Sequence, residues 1–190
     1  MVATVIIERL TGPAGTIVRT AITSINTRAN TADAHSTNDT ASPIEIPGAG
    51  TNYSYWVNTQ INCTVTPDNL IDNLEWFTDG TNSYGTGITL QVAQAALASY
   101  TQASGTGGQT GTLLNDTNYS GGTLTPATPS ADNAFTYTTG APLAVTGSIT
   151  NPSTGAFGNI VVYQVAVGTS ATPGTKPATP ETITWRYDET

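Results

Sequence analysis

The residue types that most often carry out enzyme chemistry are scarce in this chain, which has one histidine and one cysteine among 190 residues. The histidine, His35, lies in a polar stretch, and no G-x-S-x-G nucleophile motif accompanies it. The cysteine, Cys63, falls on the apolar face of a predicted strand, where we expect a buried and unreactive thiol. One histidine and one cysteine also rule out a typical structural zinc site. We therefore predict that the protein is not an enzyme and that it holds no metal or cofactor.

Carboxylates are the remaining candidates for chemistry, because a glycosidase needs only two of them facing each other. The 13 acidic residues allow many such pairs, but most lie in turn sequences, where Asp is favoured for local hydrogen bonds. Two turns, Asp79–Asn82 and Asn115–Asn118, bring oxygen ligands close together, and neither matches an EF-hand loop. We interpret these acids as turn residues rather than as a catalytic pair or a calcium site.

The charge of the chain excludes two classes of partner. Charged residues make up 9% of the sequence, and 13 acidic against 5 basic residues give a net charge of −8. No basic cluster is present to neutralise phosphates, so we expect no direct binding to nucleic acid or to an anionic membrane surface. No apolar run reaches the length that spans a bilayer.

The composition is typical of a protein that works outside a cell, since lysine is rare and about a fifth of the residues are threonine. The N-terminal sequence nevertheless has no basic start, long apolar core or cleavage site, so we expect no signal peptide. Two explanations fit this combination. The chain is a virion protein that is assembled in the host cytoplasm and released by lysis, or an extracellular module separated from its export signal.

The clearest structural pattern is the stretch Tyr53–Thr66, in which apolar and polar residues alternate with a period of two. We predict that it forms the central strand of a β-sandwich and that its odd-numbered residues face the core. The even-numbered face is polar but uncharged, with Trp56 at one end. Such a face can be buried without desolvating an ion, so we predict that loops or another subunit cover part of it.

The remaining patterns predict an all-β, antiparallel β-sandwich or jelly-roll-like fold with long loops and at most one short helix. A Gly-Pro turn and the Asp79-Gly80 turn each predict a hairpin. Gln91–Tyr100 is the one credible helix, and it could equally extend the preceding strand. The run Asn159–Val167 is apolar on both faces, so we expect both to be covered. The other predicted strands are Thr4–Arg9, Thr16–Ile25, Pro43–Pro47, Leu70–Thr78, Ile88–Val92, Phe135–Thr138, Leu143–Thr150 and Glu181–Tyr187.

We predict a single domain over residues 1–190, with residues 26–42 as a polar loop or an extended arm on a neighbouring subunit. Aromatic residues are candidates for partner contacts, because Trp56 lies on the polar strand face and Tyr84 and Tyr119 lie in Gly/Asn-rich loops. For Trp56 we favour packing under a loop or in a subunit contact over stacking on a glycan. Arg28 and His35 in the polar segment complete this set of candidate contacts. Aromatic side chains also stack on sugars, which keeps an extracellular carbohydrate-binding or adhesion module as the alternative function.

Two segments, Asn69–Ala93 and Val161–Glu189, resemble β-sandwich structural proteins of tailed bacteriophages, of the kind that decorate or cement capsids. The resemblance covers about a third of the chain and consists of strand-turn patterns. It implies a non-enzymatic virion structural protein that stabilises the shell by binding the major capsid protein. It also implies a homo-oligomer, most often a trimer, located on the capsid surface of the virion.

Overall fold

The computed structural model describes residues 2–37, 40–119, 124–126, 131–174 and 180–190. Within these ranges the chain forms thirteen β-strands and three short 3-10 turns, at Ala14–Thr16, Leu97–Ser99 and Ala134–Thr136, and no α-helix. The predicted all-β fold is therefore confirmed. The strands are β1 (Thr4–Thr11), β2 (Val18–Ala21), β3 (Thr51–Tyr53), β4 (Val57–Val65), β5 (Leu70–Thr78), β6 (Ile88–Ala95), β7 (Gly105–Thr106), β8 (Thr110–Gly111), β9 (Asp132–Asn133), β10 (Leu143–Val145), β11 (Ile149–Thr150), β12 (Gly155–Gly168) and β13 (Ile183–Glu189).

Eleven of the strands build two antiparallel sheets that pack as a sandwich, and β7 and β8 form a separate two-stranded sheet. The larger sheet has seven strands in the order β2-β1-β4-β12-β6-β9, with β3 also paired to β12. The smaller sheet has four strands and is centred on β5, which pairs with β13 on one edge and with β10 and β11 on the other. The predicted hairpin near the N-terminus is confirmed, because β1 and β2 pair across the Gly-Pro turn.

The predicted long strand is divided in two by a break at Ser54–Trp56. Strands β3 and β4 lie end to end along the same edge of β12. At the break the Ser54 hydroxyl accepts a hydrogen bond from the Val165 N–H at 3.0 Å, so a side chain replaces a main-chain acceptor. The buried Gln164 fills the rest of the gap, donating from its amide to the carbonyls of Ser54 at 2.7 Å and Thr112 at 2.8 Å. Its own oxygen accepts from the Leu114 N–H at 2.8 Å.

The main core lies between the two sheets. As predicted, Val57, Ile61 and Cys63 of β4 face it. Each large apolar side chain buried there stabilises the fold by about 1.5–3 kcal/mol, which makes this layer the main source of stability. The other sheet strands contribute Ile71, Leu74 and Trp76 from β5, Leu90 and Val92 from β6, and Val161, Tyr163, Val165 and Val167 from β12.

A second apolar cluster covers the outer face of the larger sheet. Ala93 and Ala95 of β6 and Val162 of β12 pack there against side chains from the segment that follows β6. Strand β12 is therefore covered on both faces, as its sequence predicts. The covering residues are Ala103, Leu114, Tyr119, Leu124 and Ala131.

Three predicted elements are wrong, and one open alternative is decided. Strands β5 and β6 belong to different sheets, so the Asp79-Gly80 turn joins the sheets instead of closing a hairpin. Of the two alternatives for Gln91–Tyr100, extension of the strand is confirmed as far as Ala95, because β6 continues there with apolar neighbours on both faces. Pro43–Pro47 forms no strand, in keeping with two residues that cannot donate to a ladder. Phe135–Thr138 forms no strand, because its first residues belong to the 3-10 turn Ala134–Thr136, which the Asn133 side chain caps by accepting from the Phe135 N–H at 3.1 Å.

Candidate functional site

The single histidine and the single cysteine each contact their own chain. His35 Nδ1 lies 3.2 Å from the Thr27 hydroxyl, and desolvation together with the charge of Arg9 lowers the pKa of the imidazole. Cys63 is buried, its thiol donates to the Val65 carbonyl at 3.0 Å, and burial raises the pKa of the thiol. Within the described ranges no three His, Cys, Asp or Glu side chains come together in a way that could hold a metal ion.

Two of the predicted partner contacts, Trp56 and Tyr119, are interior residues. Their side chains are 2% and 0% exposed, and their rings pack with centroids 5.1 Å apart. The Tyr119 hydroxyl donates to Asn58 Oδ1 at 2.7 Å, and burial raises the pKa of Tyr119. This corrects the expectation from the sequence, because the loop that carries Tyr119 folds over Trp56 and leaves neither ring a surface for a partner.

The predicted cover on the even-numbered face of β4 comes from the chain itself. Asn58 and Gln60 are buried, and Gln60 donates to the Gly158 carbonyl at 2.6 Å while it accepts from Arg19 at 2.9 Å. Thr64, at the far end of the same face, is exposed. The prediction that part of this face is covered is therefore confirmed, and the part near the break is not available to a partner.

The feature best suited to binding is a cleft of about 1050 Å³ between the two sheets. Its floor is the inner face of the larger sheet, where the smaller sheet does not reach across, and one wall is β13. The chain segments before β3 and after β12 form its rim. The large apolar residues that line it from the strands include Ile7, Ile88, Tyr163, Val165, Ile183 and Trp185.

The other three predicted contacts, Arg28, His35 and Tyr84, border this same cleft. Arg28 and Tyr84 line it directly, and His35 contacts the lining residue Thr27. The Arg28 N–H donates to the Ser36 carbonyl at 2.8 Å, while its side-chain Nε is buried without a hydrogen-bond partner. Burial also raises the pKa of Tyr84. The fold therefore brings together residues that are 56 positions apart in the sequence, from Arg28 to Tyr84.

Charges of both signs lie at the rim. Arg9, buried on β1, donates from Nη1 to the Thr27 hydroxyl and to the Arg28 carbonyl, both at 2.9 Å. Desolvation lowers the pKa of Arg9. Glu181 accepts from the Ser83 N–H at 2.7 Å, and its pKa is raised by desolvation. The cleft thus has an apolar interior, with the Arg28 guanidinium on one side of the rim and the Glu181 carboxylate on another.

The polar segment 26–42 is held against its own chain, although residues 38 and 39 lie outside the described part. Its other residues form neither helix nor strand. The Asn30 carbonyl accepts from the Tyr55 N–H at 2.7 Å, and the buried Thr31 hydroxyl accepts from the Gly108 N–H at 2.7 Å. Asp33 accepts from the Gly12 N–H at 2.9 Å. Because these bonds reach distant parts of the chain, the segment forms an ordered part of the cleft rim.

A second groove, on the outer face of the smaller sheet, is polar and shallow. Its charged side chains bond to one another: Arg186 pairs with Glu75, and Asn73 donates to Asp188 at 2.8 Å. Arg186 also lies over the Phe77 ring at 5.3 Å. These contacts stabilise the neighbouring strands, so this groove is a weaker candidate than the cleft.

The comparisons with known proteins identify no relative. A scan against protein-family models, a search of curated proteins and a search of solved structures each returned no match. In the part of the chain that the structure describes, no helix has the length and apolar character needed to cross a bilayer. The function of this chain must therefore be inferred from its own residues and geometry.

Proposed function

We propose that the chain is a non-enzymatic virion structural protein of the capsid decoration or cement type, and that it binds the major capsid protein through the cleft. The observation that carries this proposal is the apolar cleft of about 1050 Å³ between the sheets. Sites for small ligands usually measure about 300–1,000 Å³, so the cleft is large enough for several side chains of another protein. Apolar area buried there would contribute about 25 cal/mol per Å².

The surface around the cleft supports a binding role. Ile25 lines the cleft and is 49% exposed, so the apolar lining extends onto the outer surface. An exposed apolar side chain that continues an apolar cleft supports an interaction site, whereas isolated apolar residues are common on any protein. The location on a capsid is supported by the composition and by the resemblance to phage decoration proteins, which also suggests a homotrimer.

The alternative, a carbohydrate-binding or adhesion module, receives less support from the geometry. It depended on Trp56 and Tyr119 as exposed platforms for sugar rings, and both side chains are buried. We therefore retain the capsid-binding role as the single proposed function.

The test is a binding assay with purified capsids that lack this protein. We expect the wild-type chain to sediment with such capsids, and Ile25→Asp to weaken binding on the order of tenfold or more, because it places a charge at the apolar rim. The matched control is Leu97→Asp, since Leu97 is also exposed, at 39%, but does not line the cleft. Light scattering of the free protein measures its oligomeric state. A wild-type chain that does not bind these capsids would contradict the proposal, and one that binds without self-associating would contradict the homotrimer alone.

A further inference from the structure

The geometry points to a specific binding mode, which rests on the proposed function: the cleft accepts an extended segment of the capsid protein as an added strand beside β13. The segment would be apolar at alternate positions and would carry one carboxylate. Addition of a strand to an open sheet edge is a recurrent way in which proteins bind peptides. Three features of the described residues carry this inference, namely a free strand edge, the cleft next to it and the incompletely bonded Arg28 at its rim.

The first feature is the direction of the main-chain groups of β13. The Thr78 N–H donates to Tyr137, on the side of β5 away from β13, at 3.0 Å. Thr78 and its register partner Ile183 therefore form a pair without mutual hydrogen bonds. Such pairs alternate with hydrogen-bonded pairs along an antiparallel ladder, so Trp185, two residues further on, also makes no main-chain hydrogen bond to β5. The N–H and C=O groups of Ile183 and Trp185 thus point away from β5. Of the described strands, only β5 pairs with β13, so this edge is open.

The second feature is that the side chains of the same two residues line the cleft. A segment added beside β13 would exchange hydrogen bonds with the main chain of Ile183 and Trp185. Every second side chain of that segment would then point into the cleft, towards the inner face of the larger sheet. Five consecutive residues of that segment would span about 17 Å. An open edge beside apolar surface is otherwise a liability that soluble proteins avoid, which favours a functional reason for it.

The third feature is the positive charge at the rim. Arg28 lines the cleft and its Nε is buried without a hydrogen-bond partner, and the Nε of the adjacent Arg9 is in the same condition. Arg9 does not line the cleft, and the nearby carboxylate of Asp33 acts to raise its pKa. Arg28 lines the cleft and forms no salt bridge with a described residue. A carboxylate on the incoming segment would therefore complement the half-buried Arg28 guanidinium. Glu181 is already bonded to Ser83 and lies on a different segment of the rim.

The test compares variants in the same assay with capsids that lack this protein. Ile183→Pro removes an N–H that bonds to nothing in the described chain, and proline is tolerated at the first residue of an edge strand. We expect Ile183→Pro to weaken capsid binding on the order of tenfold, and Ile183→Val, which keeps the N–H, to bind within about twofold of wild type. Arg28→Gln should also weaken binding, and Arg28→Lys should restore part of it.

Amide hydrogen exchange gives a second measurement that needs no variant. On capsid binding the amides of Ile183 and Trp185 should become protected, while Thr184 and Arg186 should change little because they already bond to β5. This pattern also decides the question if Ile183→Pro fails to fold, which a thermal melt would reveal.

The outcomes separate the two proposals. If wild type does not bind capsids, the proposed function fails and the binding mode falls with it. If wild type binds but Ile183→Pro binds equally well and the two amides stay unprotected, the binding mode alone is refuted. Protection of these amides at high protein concentration without capsids would instead identify a second copy of this chain as the occupant, which would overturn the assignment to the capsid protein.

Discussion

Gln164 shows how one uncharged polar side chain can hold together three parts of this chain. It is buried in the middle of β12 and satisfies main-chain groups of Ser54, Thr112 and Leu114. These groups come from the break between β3 and β4 and from the loop layer, by which we mean the described residues after β6 that cover the outer face of the larger sheet. A neutral amide suits this position, because it offers both donors and an acceptor without the cost of burying a charge.

Replacing Gln164 by Leu should lower the free energy of unfolding by about 3 kcal/mol or more, since three buried main-chain groups would lose their partner. Urea unfolding followed by tryptophan fluorescence measures the change. Gln102→Leu is the matched control, because Gln102 is exposed and bonds only to Asp33 at 2.8 Å. We expect its effect to stay within about 0.5 kcal/mol. Equal effects for the two variants would contradict the role of Gln164.

At the residue scale, the sequence predicted burial better than it predicted exposure. The alternation in Tyr53–Thr66 correctly placed Val57, Ile61 and Cys63 in the core. It could not reveal that Tyr119 covers Trp56, because that contact depends on where a loop about 60 residues away folds back. The grouping of Arg28 and Tyr84 around one cleft was hidden for the same reason.

At the scale of elements, the approach of the loop layer to the break in the larger sheet depends on one small residue. A Cβ atom at Gly111 would lie 2.1 Å from the Ser54 carbonyl oxygen. Strand β8 can therefore lie against the break only because its last residue has no side chain. This contact brings Thr112 and Leu114 within reach of Gln164.

We predict that Gly111→Ala lowers the free energy of unfolding by about 2–3 kcal/mol, because main chain must move to relieve the clash. Thermal or urea unfolding provides the measurement. The control is Gly140→Ala, where an added Cβ would meet no atom within 4 Å. If Gly111→Ala were as stable as Gly140→Ala, the close approach would not be a requirement of the fold.

The elements that could be predicted are those with a strong local pattern. Strand β5 has the bounds that its sequence predicts, and β12 extends its predicted run at both ends. The connection from β5 to β6 was not predictable, because an Asp-Gly turn fits both a hairpin and a crossing between sheets. The predicted strand Leu143–Thr150 is present as two short strands, β10 and β11. The short strands β7 to β9 lack sufficient alternation to stand out from the surrounding Gly- and Thr-rich sequence.

At the scale of the whole molecule, buried tyrosines should make the protein lose stability at alkaline pH. Burial raises the pKa of Tyr163 to about 12, and the pKa of Tyr137 is also raised to about 12 by burial and by its hydrogen bond to Asp132. Burial also raises the pKa values of Tyr84, Tyr100 and Tyr119. In the unfolded chain these groups titrate near pH 10. The stabilisation is therefore fully present below about pH 10 and is lost as the pH rises from there through about 12.

We expect the midpoint of urea unfolding to be steady up to about pH 10 and then to fall steeply. Phenolate absorbance in the ultraviolet should appear together with unfolding instead of preceding it. Tyr163→Phe should make the decline less steep, because one fewer tyrosine then has a higher pKa in the folded chain than in the unfolded chain. An unfolding midpoint that stays constant to about pH 12 would contradict this prediction.

The arrangement of layers explains why the proposed binding site lies at an edge. The larger sheet has the smaller sheet on its inner face and a loop layer on part of its outer face. Partners would then meet this molecule through strand edges and the cleft beside β13 more readily than through a flat sheet face. Contacts through an edge fix the direction of the partner chain, and the proposed docking on a capsid would require such a fixed orientation.

The buried Cys63 gives the sandwich an internal reporter of its own opening. It is the one cysteine in the sequence, and its thiol lies between the two sheets, where a reagent in solvent cannot reach it. The rate of thiol modification therefore measures the equilibrium fraction of molecules in which the sheets have separated, provided that closing is faster than modification. The same reaction on assembled particles would reveal whether a neighbouring subunit slows that separation, with no engineered label.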